Sequence, residues 1–457
     1  MGSSLYTSMV FITFHGGVRE IGGNRILIED SDAKLWLDFG RSFSAERRFY
    51  TGWLQPRSHS QLPDLLEFDL IPRLRGLYAQ RHLEGSPIPH EEPQYDAVFI
   101  SHAHADHVDY VRFLDPSIPI YCGSGTKLFL EASEEIGHIA YGKHSYKTFR
   151  TGDRIRIGDV EVEPIHVDHS IPAAYGFIIH TSSGSIVYTG DLRRHGPKGE
   201  MTEEFLEAAA KTEPEALIIE GTKIHEETKR ISEEEVYIGV LGVLEKAEGK
   251  AVFYTQNRRD TDRFKTFYKA AKTSGRRLVI TTWTAHLLSK LVEDEHLDLP
   301  DPMKDENIAI YFRRKKSGRY REKDYYQWER PYLERMVTAE EIRRRPGEYL
   351  VCLELHHFPE LIDIRPQGGH YIYSMSEHME EEVLEEGVMR NWLSHFSLRL
   401  HQLHASGHMS REELLKAVET INPEKVYPIH TEHPKLFMKL LREWKVETPT
   451  RGRSYGL

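Results

Sequence analysis

The sequence predicts a mixed α/β protein: a sandwich of two sheets with helices outside, followed by a separate α/β unit with parallel strands. Three observations carry this. The first half strings short apolar runs between turns, with few helical stretches, which suits two packed sheets. From about Ser232 strands and helices alternate, the pattern of βαβ units. And 457 residues exceed one ordinary core, so two or three domains are expected.

In chain order, Phe11–Phe14 and residues 25–29 read as the first two strands. Between them the glycines of residues 15–24 allow a tight hairpin and a close backbone approach to another group. Residues 34–40 form a third strand ending in a turn. Residues 41–94, rich in Pro, Arg and polar side chains, read as a surface excursion with a short helix or two. Ala97–Ile100 is a buried strand. Further strands fall at 118–122, 160–165, 176–179, 185–191 and 217–220, with a helix over 125–135. Then Ser232 to Glu235 resembles a capping box opening a helix from Val236 to Lys246. Strands at 251–254, 277–280, 349–353, 370–374 and 425–430 and helices at 262–272 and 411–422 complete the reading.

The totals exclude several classes. No stretch approaches the apolar length of a membrane span, and Met1-Gly2-Ser3-Ser4 lacks the basic-then-apolar pattern of a secretory signal. Cys122 and Cys352 lie far apart in strand-like surroundings and read as small buried hydrophobes. A cytoplasmic location and no membrane partner are expected. A net charge of −11 argues against wrapping nucleic acid over the whole surface, and leaves room for a local basic groove.

The chemistry concentrates in Ser101-His102-Ala103-His104-Ala105-Asp106-His107, directly after strand Ala97–Ile100. On extended backbone His102 and His104 point the same way, whereas Asp106 and His107 follow the turn. That suits two metal ions side by side, one on the His pair and one on the Asp-His pair. Imidazole and carboxylate without thiolate are zinc donors, with manganese as the alternative. Further donors are sought at strand ends: His169, with His166 as its alternative, Asp191 and His430. The Ser-Ile-Pro after His169 fixes a turn and favours it. A carboxylate such as Asp191 can bridge two cations.

Read together, the 102–107 motif, His169 and Thr189-Gly190-Asp191 resemble the metallo-β-lactamase superfamily in its usual order. Glu220 after an apolar strand, His408 in His404-Ala405-Ser406-Gly407-His408, and His430 in Pro428-Ile429-His430-Thr431-Glu432 resemble the three further motifs of the β-CASP nucleases. Asn24 after Ile21-Gly22-Gly23, and Ser374-Met375-Ser376-Glu377, add to a likeness that is nearest to the ribonuclease J type. The resemblance implies a metallo-β-lactamase αββα sandwich over 1–221 and 400–457, with an inserted α/β β-CASP domain over 222–399. It implies two Zn2+, one on His102, His104, His169 and the bridging Asp191, the other on Asp106, His107, Asp191 and His430. The 41–94 excursion is longer than the pattern, and His378 follows Glu377 where proline is expected. The short stretch after His430 implies the archaeal-type form without the extra C-terminal domain of bacterial members; a homodimer is a candidate assembly, but not one that depends on that domain.

Hydrolysis of a phosphodiester needs a strong nucleophile at neutral pH and charge compensation on phosphorus, which paired cations supply. Asp106 is placed to orient the water and accept its proton. His408 is the candidate general acid, since imidazole titrates near the operating pH, and Glu220 would orient it. His404, Ser406 and the backbone at Gly407 would cradle a phosphate, with Ser376 and Arg258 as further contacts. Arg313-Arg314-Lys315-Lys316, Arg319, Arg321 and Lys323 interleave with Tyr320, Tyr325, Tyr326 and Trp328; they have the ingredients of single-strand binding, or form a solvated charged stretch. The leading expectation is a metal-dependent ribonuclease on single-stranded RNA, a 5′-to-3′ exonuclease with endonuclease capacity. The alternatives are a DNA-processing nuclease, a thioester or lactone hydrolase, and a non-catalytic RNA-binding scaffold; the full ligand set argues against the last.

Overall fold

Strand Ala97–Ile100 shows how the sandwich is made. Successive side chains of a strand face opposite sides. Ala97 and Phe99 join one core cluster, Val98 and Ile100 another, and all four are buried. The strand is therefore covered on both faces. In the computed structural model, which describes residues 9–227, 231–375 and 383–457, this strand belongs to a seven-stranded sheet. Its order is Ser454–Gly456, Phe11–Phe14, Ile26–Asp30, Ala33–Leu37, Ala97–Ile100, Ile120–Gly123, Tyr146–Phe149. A second seven-stranded sheet runs Lys445–Val446, Lys425–Ile429, Ala216–Glu220, Gly184–Tyr188, Tyr175–Thr181, Val160–His166, Ile155–Ile157.

The inner core of this first unit joins Phe14, Ile28, Leu37 and Phe99 to Phe177, Ile179, Ile218 and Ile429. Outside the second sheet, Leu217 and Ile219 pack with Phe205 and Leu206 of helix Gly199–Ala210 and with Leu414 and Val418 of helix Arg411–Ile421. Outside the first, Val98 and Ile100 pack with Leu62, Leu65, Leu66, Leu70 and Leu77. Layers run helix, sheet, sheet, helix, the αββα order expected. The last five residues named correct one expectation. Residues 41–94 are not only a surface excursion: the apolar side of helix Gln61–Glu67 and the chain after it close the outer core.

The unit is assembled from residues 1–130, 139–228 and 407–457; a second unit takes 131–138 and 229–406. Its seven strands are all parallel, in the order Met336–Val337, Ile308–Tyr311, Arg277–Thr281, Tyr349–Cys352, Ala251–Gln256, Gly369–Ser374, Leu398–Gln402. Parallel sheets are covered on both faces, so their strands read as unbroken apolar runs. Val252 and Tyr254 pack on one side with helices Glu233–Lys246 and Thr261–Thr273, while Ala251 and Phe253 face the other. Ser232 caps the first helix with a full capping box, one turn before the expected start. Strand Leu398–Gln402 was not expected; at the sheet's edge only its first residue, Leu398, is buried, and it keeps His404 within the second unit. Cys122 and Cys352 are buried and form no disulfide among the described residues.

Candidate metal centre

Ser101 and His102 follow Ala97–Ile100 directly, and both are buried. His104 keeps an extended backbone as the residue before the one-turn helix Ala105–Val108, which carries Asp106 and His107. Two glycines clamp that turn. A Cβ at Gly22 would lie 2.4 Å from Asp106 Oδ2, and one at Gly40 would lie 1.7 Å from the Asp106 carbonyl oxygen. Asp106 is thus the group that the glycine loop approaches, and the Asn24 amide donates to its carbonyl at 3.1 Å.

Around this turn seven side chains converge in two groups that share Asp191. In the first, His102 Nε2 and His169 Nε2 lie 3.0 and 3.1 Å from His104 Nδ1, and 3.7 and 4.0 Å from Asp191 Oδ2. In the second, His107 Nε2 is 3.1 Å from Asp191 Oδ2 and 3.8 Å from Asp106 Oδ2. There His430 Nε2 is 3.1 Å from Asp106 Oδ2 and 3.5 Å from Asp191 Oδ2. Bonds to zinc of 2.0–2.1 Å in a tetrahedron put donors about 3.3 Å apart, close to these spacings. Among the described residues His107 Nε2 and Asp191 Oδ1 are buried with no hydrogen-bond partner. Buried polar atoms without partners are costly, and a cation between them removes the cost. The donor set fits divalent cations.

Four of the five imidazoles are held through Nδ1, which turns Nε2 toward the donor group. The carbonyl of Gly407 accepts from His169 Nδ1 at 2.5 Å, Ser101 Oγ sits 3.0 Å from His102 Nδ1, and Thr222 Oγ1 sits 2.8 Å from His430 Nδ1. Asp38 holds His107: its Oδ2 lies 2.7 Å from His107 Nδ1 and accepts from Ser101 Oγ and Tyr188 Oη. Sequence reasoning missed Asp38 and Thr222. Asp38 had a signal, an aspartate ending a strand in a turn before glycine; its φ of +55° places it there. Thr222 had none.

Burial, then neighbouring imidazoles, pushes His102 and His169 well below the ordinary histidine value. Burial works the same way on His430, but Asp191 and Asp106 outweigh it and raise it to about 9. For His107 burial is likewise outweighed, by Asp191, Asp38 and Asp106. Burial would raise Asp106 and Asp191; the imidazoles hold both below the usual carboxylate range. The pocket therefore gathers protons on His107 and His430 that a divalent cation would displace.

Next to these groups stands Glu220, fully buried, whose carboxylate accepts from the Thr222 amide at 2.8 Å and the Met409 amide at 3.3 Å. His408 Nδ1 is 3.5 Å from Glu220 Oε1 and 3.9 Å from Asp191 Oδ2, and its ring is one-fifth exposed. Gly407 turns its carbonyl to His169, and a Cβ there would lie 2.9 Å from His169 Cε1. His166 is not with the donors; its ring stacks on Tyr175 at 5.1 Å.

The remaining candidates lie in the second unit. His404 Nδ1 is 3.3 Å from Arg263 Nη1, and Arg263 is fully buried, pairing also with Glu233 and the Ala405 carbonyl. Ser406 closes the unit's chain. Arg258 is engaged with Glu354 at 2.7 and 2.8 Å through Nε and lies over Trp283. Ser376 is outside the described residues. Of the basic stretch, Arg314 pairs with Asp363 and Lys315 with Glu329. Tyr325 is core, and Tyr326 alone of the four aromatics is widely open, 61% exposed and parallel to Trp328.

Comparison with known proteins agrees with this geometry. Residues 66–254 match the beta-lactamase superfamily domain, and residues 395–449 match the Zn-dependent metallo-hydrolase RNA specificity domain. Ribonuclease J of Pyrococcus abyssi is 25% identical over 93% of this chain and 90% of its own length. Ribonuclease J of Thermus thermophilus is 25% identical over 91% of this chain and 67% of its own. The chain spans only 57% of the Sinorhizobium meliloti ribonuclease J, at 23% identity. A solved structure of a protein of unknown function from Enterococcus faecalis shares the fold, with a TM-score of 0.78 at 24% identity over 98% of this chain and 100% of that one.

Proposed function

We propose that this chain, which belongs to the metallo-β-lactamase superfamily and is ribonuclease J-like, is a metal-dependent ribonuclease that hydrolyses phosphodiester bonds of single-stranded RNA. The observation that carries the reading is the pair of donor groups meeting at Asp191. His102, His104, His169 and Asp191 would hold one Zn2+, and Asp106, His107, Asp191 and His430 the second. When bound, two such cations supply positive charge at the phosphoryl group and a water acidic enough to attack at neutral pH.

The chain's own residues then have separable tasks. Asp106 lies beside the attacking position and accepts the water's proton. His408 donates a proton to the leaving oxygen; Glu220, with both oxygens held by backbone amides, keeps its Nδ1 oriented. Asp38, Thr222 and the Gly407 carbonyl keep the rings in ligand-presenting tautomers. His404, Ser406, Ser376 and Arg258 are the proposed phosphate contacts, with Arg258 exchanging Glu354 for phosphate. The match of residues 395–449 to an RNA specificity domain supports RNA over DNA and over small thioesters or lactones. The reading includes 5′-to-3′ exonuclease action with endonuclease capacity.

The test is cleavage of 5′-labelled single-stranded RNA and matched DNA, with and without chelator. Mononucleotide release from RNA marks an exonuclease and discrete fragments an endonuclease. Activity that survives both chelation and His102→Ala overturns the mechanism.

A further inference from the structure

The parallel sheet of the second unit has two ends. Its carboxyl end carries Arg258 and leads on to His404, already among the proposed phosphate contacts. Its amino end, the length of strand Ala251–Gln256 away, or about 20 Å at ~3.3 Å per residue, carries none of them. Two cavities open to solvent there, of about 590 and 340 Å3. They share Lys250, Arg365 and the chain at 366–368 as a common wall. His370 and Phe396 line the larger, Arg343 the smaller.

This wall is positive in a protein whose net charge is −11. Among the described residues Lys250, Arg343, Arg365 and Arg399 make no ion pair with a carboxylate. The one carboxylate lining either cavity is Glu248. Apart from burial, what lowers His370 is cationic, with Arg399 first, then Lys250 and Arg276.

The cations stand on fixed backbone. Arg276 is buried and donates to the carbonyls of Lys250 and Tyr349, both at 3.1 Å, which pins the turn before the strand. Arg365 ends helix Glu360–Ile364 in the left-handed region, at φ +50°. Gly369, at φ +140°, lies so close to the Ala251 carbonyl that a Cβ would meet it at 2.2 Å.

Small-molecule sites are mostly apolar and enclose their ligand. This edge is open, basic and extended over two adjoining cavities, with one aromatic ring at its side. Those are the features of a single-strand nucleic-acid groove, where cations follow the backbone and a ring takes a base. We propose that the amino end of this sheet is a second binding site for the phosphodiester backbone of single-stranded RNA, gripping a stretch of a long substrate away from the scissile bond. The choice of RNA rests on the ribonuclease reading; the groove itself does not.

The test compares Lys250→Glu/Arg365→Glu with the unaltered holoprotein on RNA of about 30 and about 6 nucleotides, since the shorter offers backbone for about one single-strand site. Cleavage of the short RNA should be unchanged. KM for the long RNA should rise about tenfold, and the slope of log affinity against log salt should shrink by about 1.4, for two contacts at ~0.7 each on a single strand. Fluorescence anisotropy of the long RNA reads affinity without cleavage. Loss of binding in the variant when neither RNA is cut by the unaltered protein would overturn the ribonuclease reading and keep the groove. Equal effects on both lengths, or none, would overturn the groove. Competition by inorganic phosphate or a mononucleotide at submillimolar concentration would also overturn it, in favour of a small-anion site.

Discussion

Among the described residues, two regions bring histidines and carboxylates within ligand distance of one another. One is the buried set around Asp191; the other is Glu354, His356 and His357 in the second unit. Only the first has the makings of a metal centre, and proximity is not the reason. At Asp191 four of the five rings are held through Nδ1, two polar atoms lack hydrogen-bond partners among the described residues, and the leading charges that shift His102, His107, His169 and His430 are imidazoles and carboxylates. At Glu354 the carboxylate is bound by Arg258, His356 is widely open, and the charges that depress His357 after burial include Arg313 and Arg258. A cation there must displace a guanidinium and enter a positive field. What distinguishes a site is the surrounding charge and the second partner of each ring.

The contrast can be broken most directly at the shared oxygen. Asp191→Asn should remove metal from both groups, read as metal content by mass spectrometry, and lower RNA hydrolysis on the order of 10³-fold or more. Retained metal at full stoichiometry would refute the sharing. Less severe is Asp38→Ala, which leaves every ligand in place and releases His107 Nδ1; metal affinity by chelator competition should fall roughly 10- to 100-fold. Gly407→Ala puts a Cβ 2.9 Å from both His169 Cε1 and Ser170 Oγ. Displacing the ring by a fraction of an ångström should lower kcat on the order of 10-fold, with KM little changed. The smallest effects belong to the second cluster. His356→Ala should leave metal content unchanged and stability within about 0.5 kcal/mol, since the residue is exposed. Arg258→Met sharpens the comparison further: freed of its guanidinium, Glu354 should allow weak, chelator-reversible zinc binding that the parent protein lacks.

Much of this was legible in the chain. The 102–107 motif announces itself because its chemistry is local: a strand of period two followed by a tight turn decides where His102, His104, Asp106 and His107 can point. The capping box at Ser232 is local as well, and a helix begins there. Legibility stopped where a residue's part depends on a distant partner. Arg258 read as a free cation, and Glu354, nearly a hundred residues on, takes it up. Tyr325 read as one of several stacking rings and is core. Leu62, Leu65 and Leu66 looked like part of a polar excursion, because the sheet face they cover comes from other parts of the chain.

By itself, the sequence determined which kinds of donor are present, which of them fall at strand ends, and that two different strand patterns follow one another. Those properties depend on side-chain chemistry and on short-range backbone periodicity, both readable within a few residues. Tertiary structure alone decided that Asp38 and Thr222 fix two of the rings, and that Gly407 spends its carbonyl on His169. It also lined up Lys250, Arg343 and Arg365 along one sheet end. These are contacts between segments brought together only when two sheets close over a common core or seven parallel strands align their ends, and no window of sequence contains both partners.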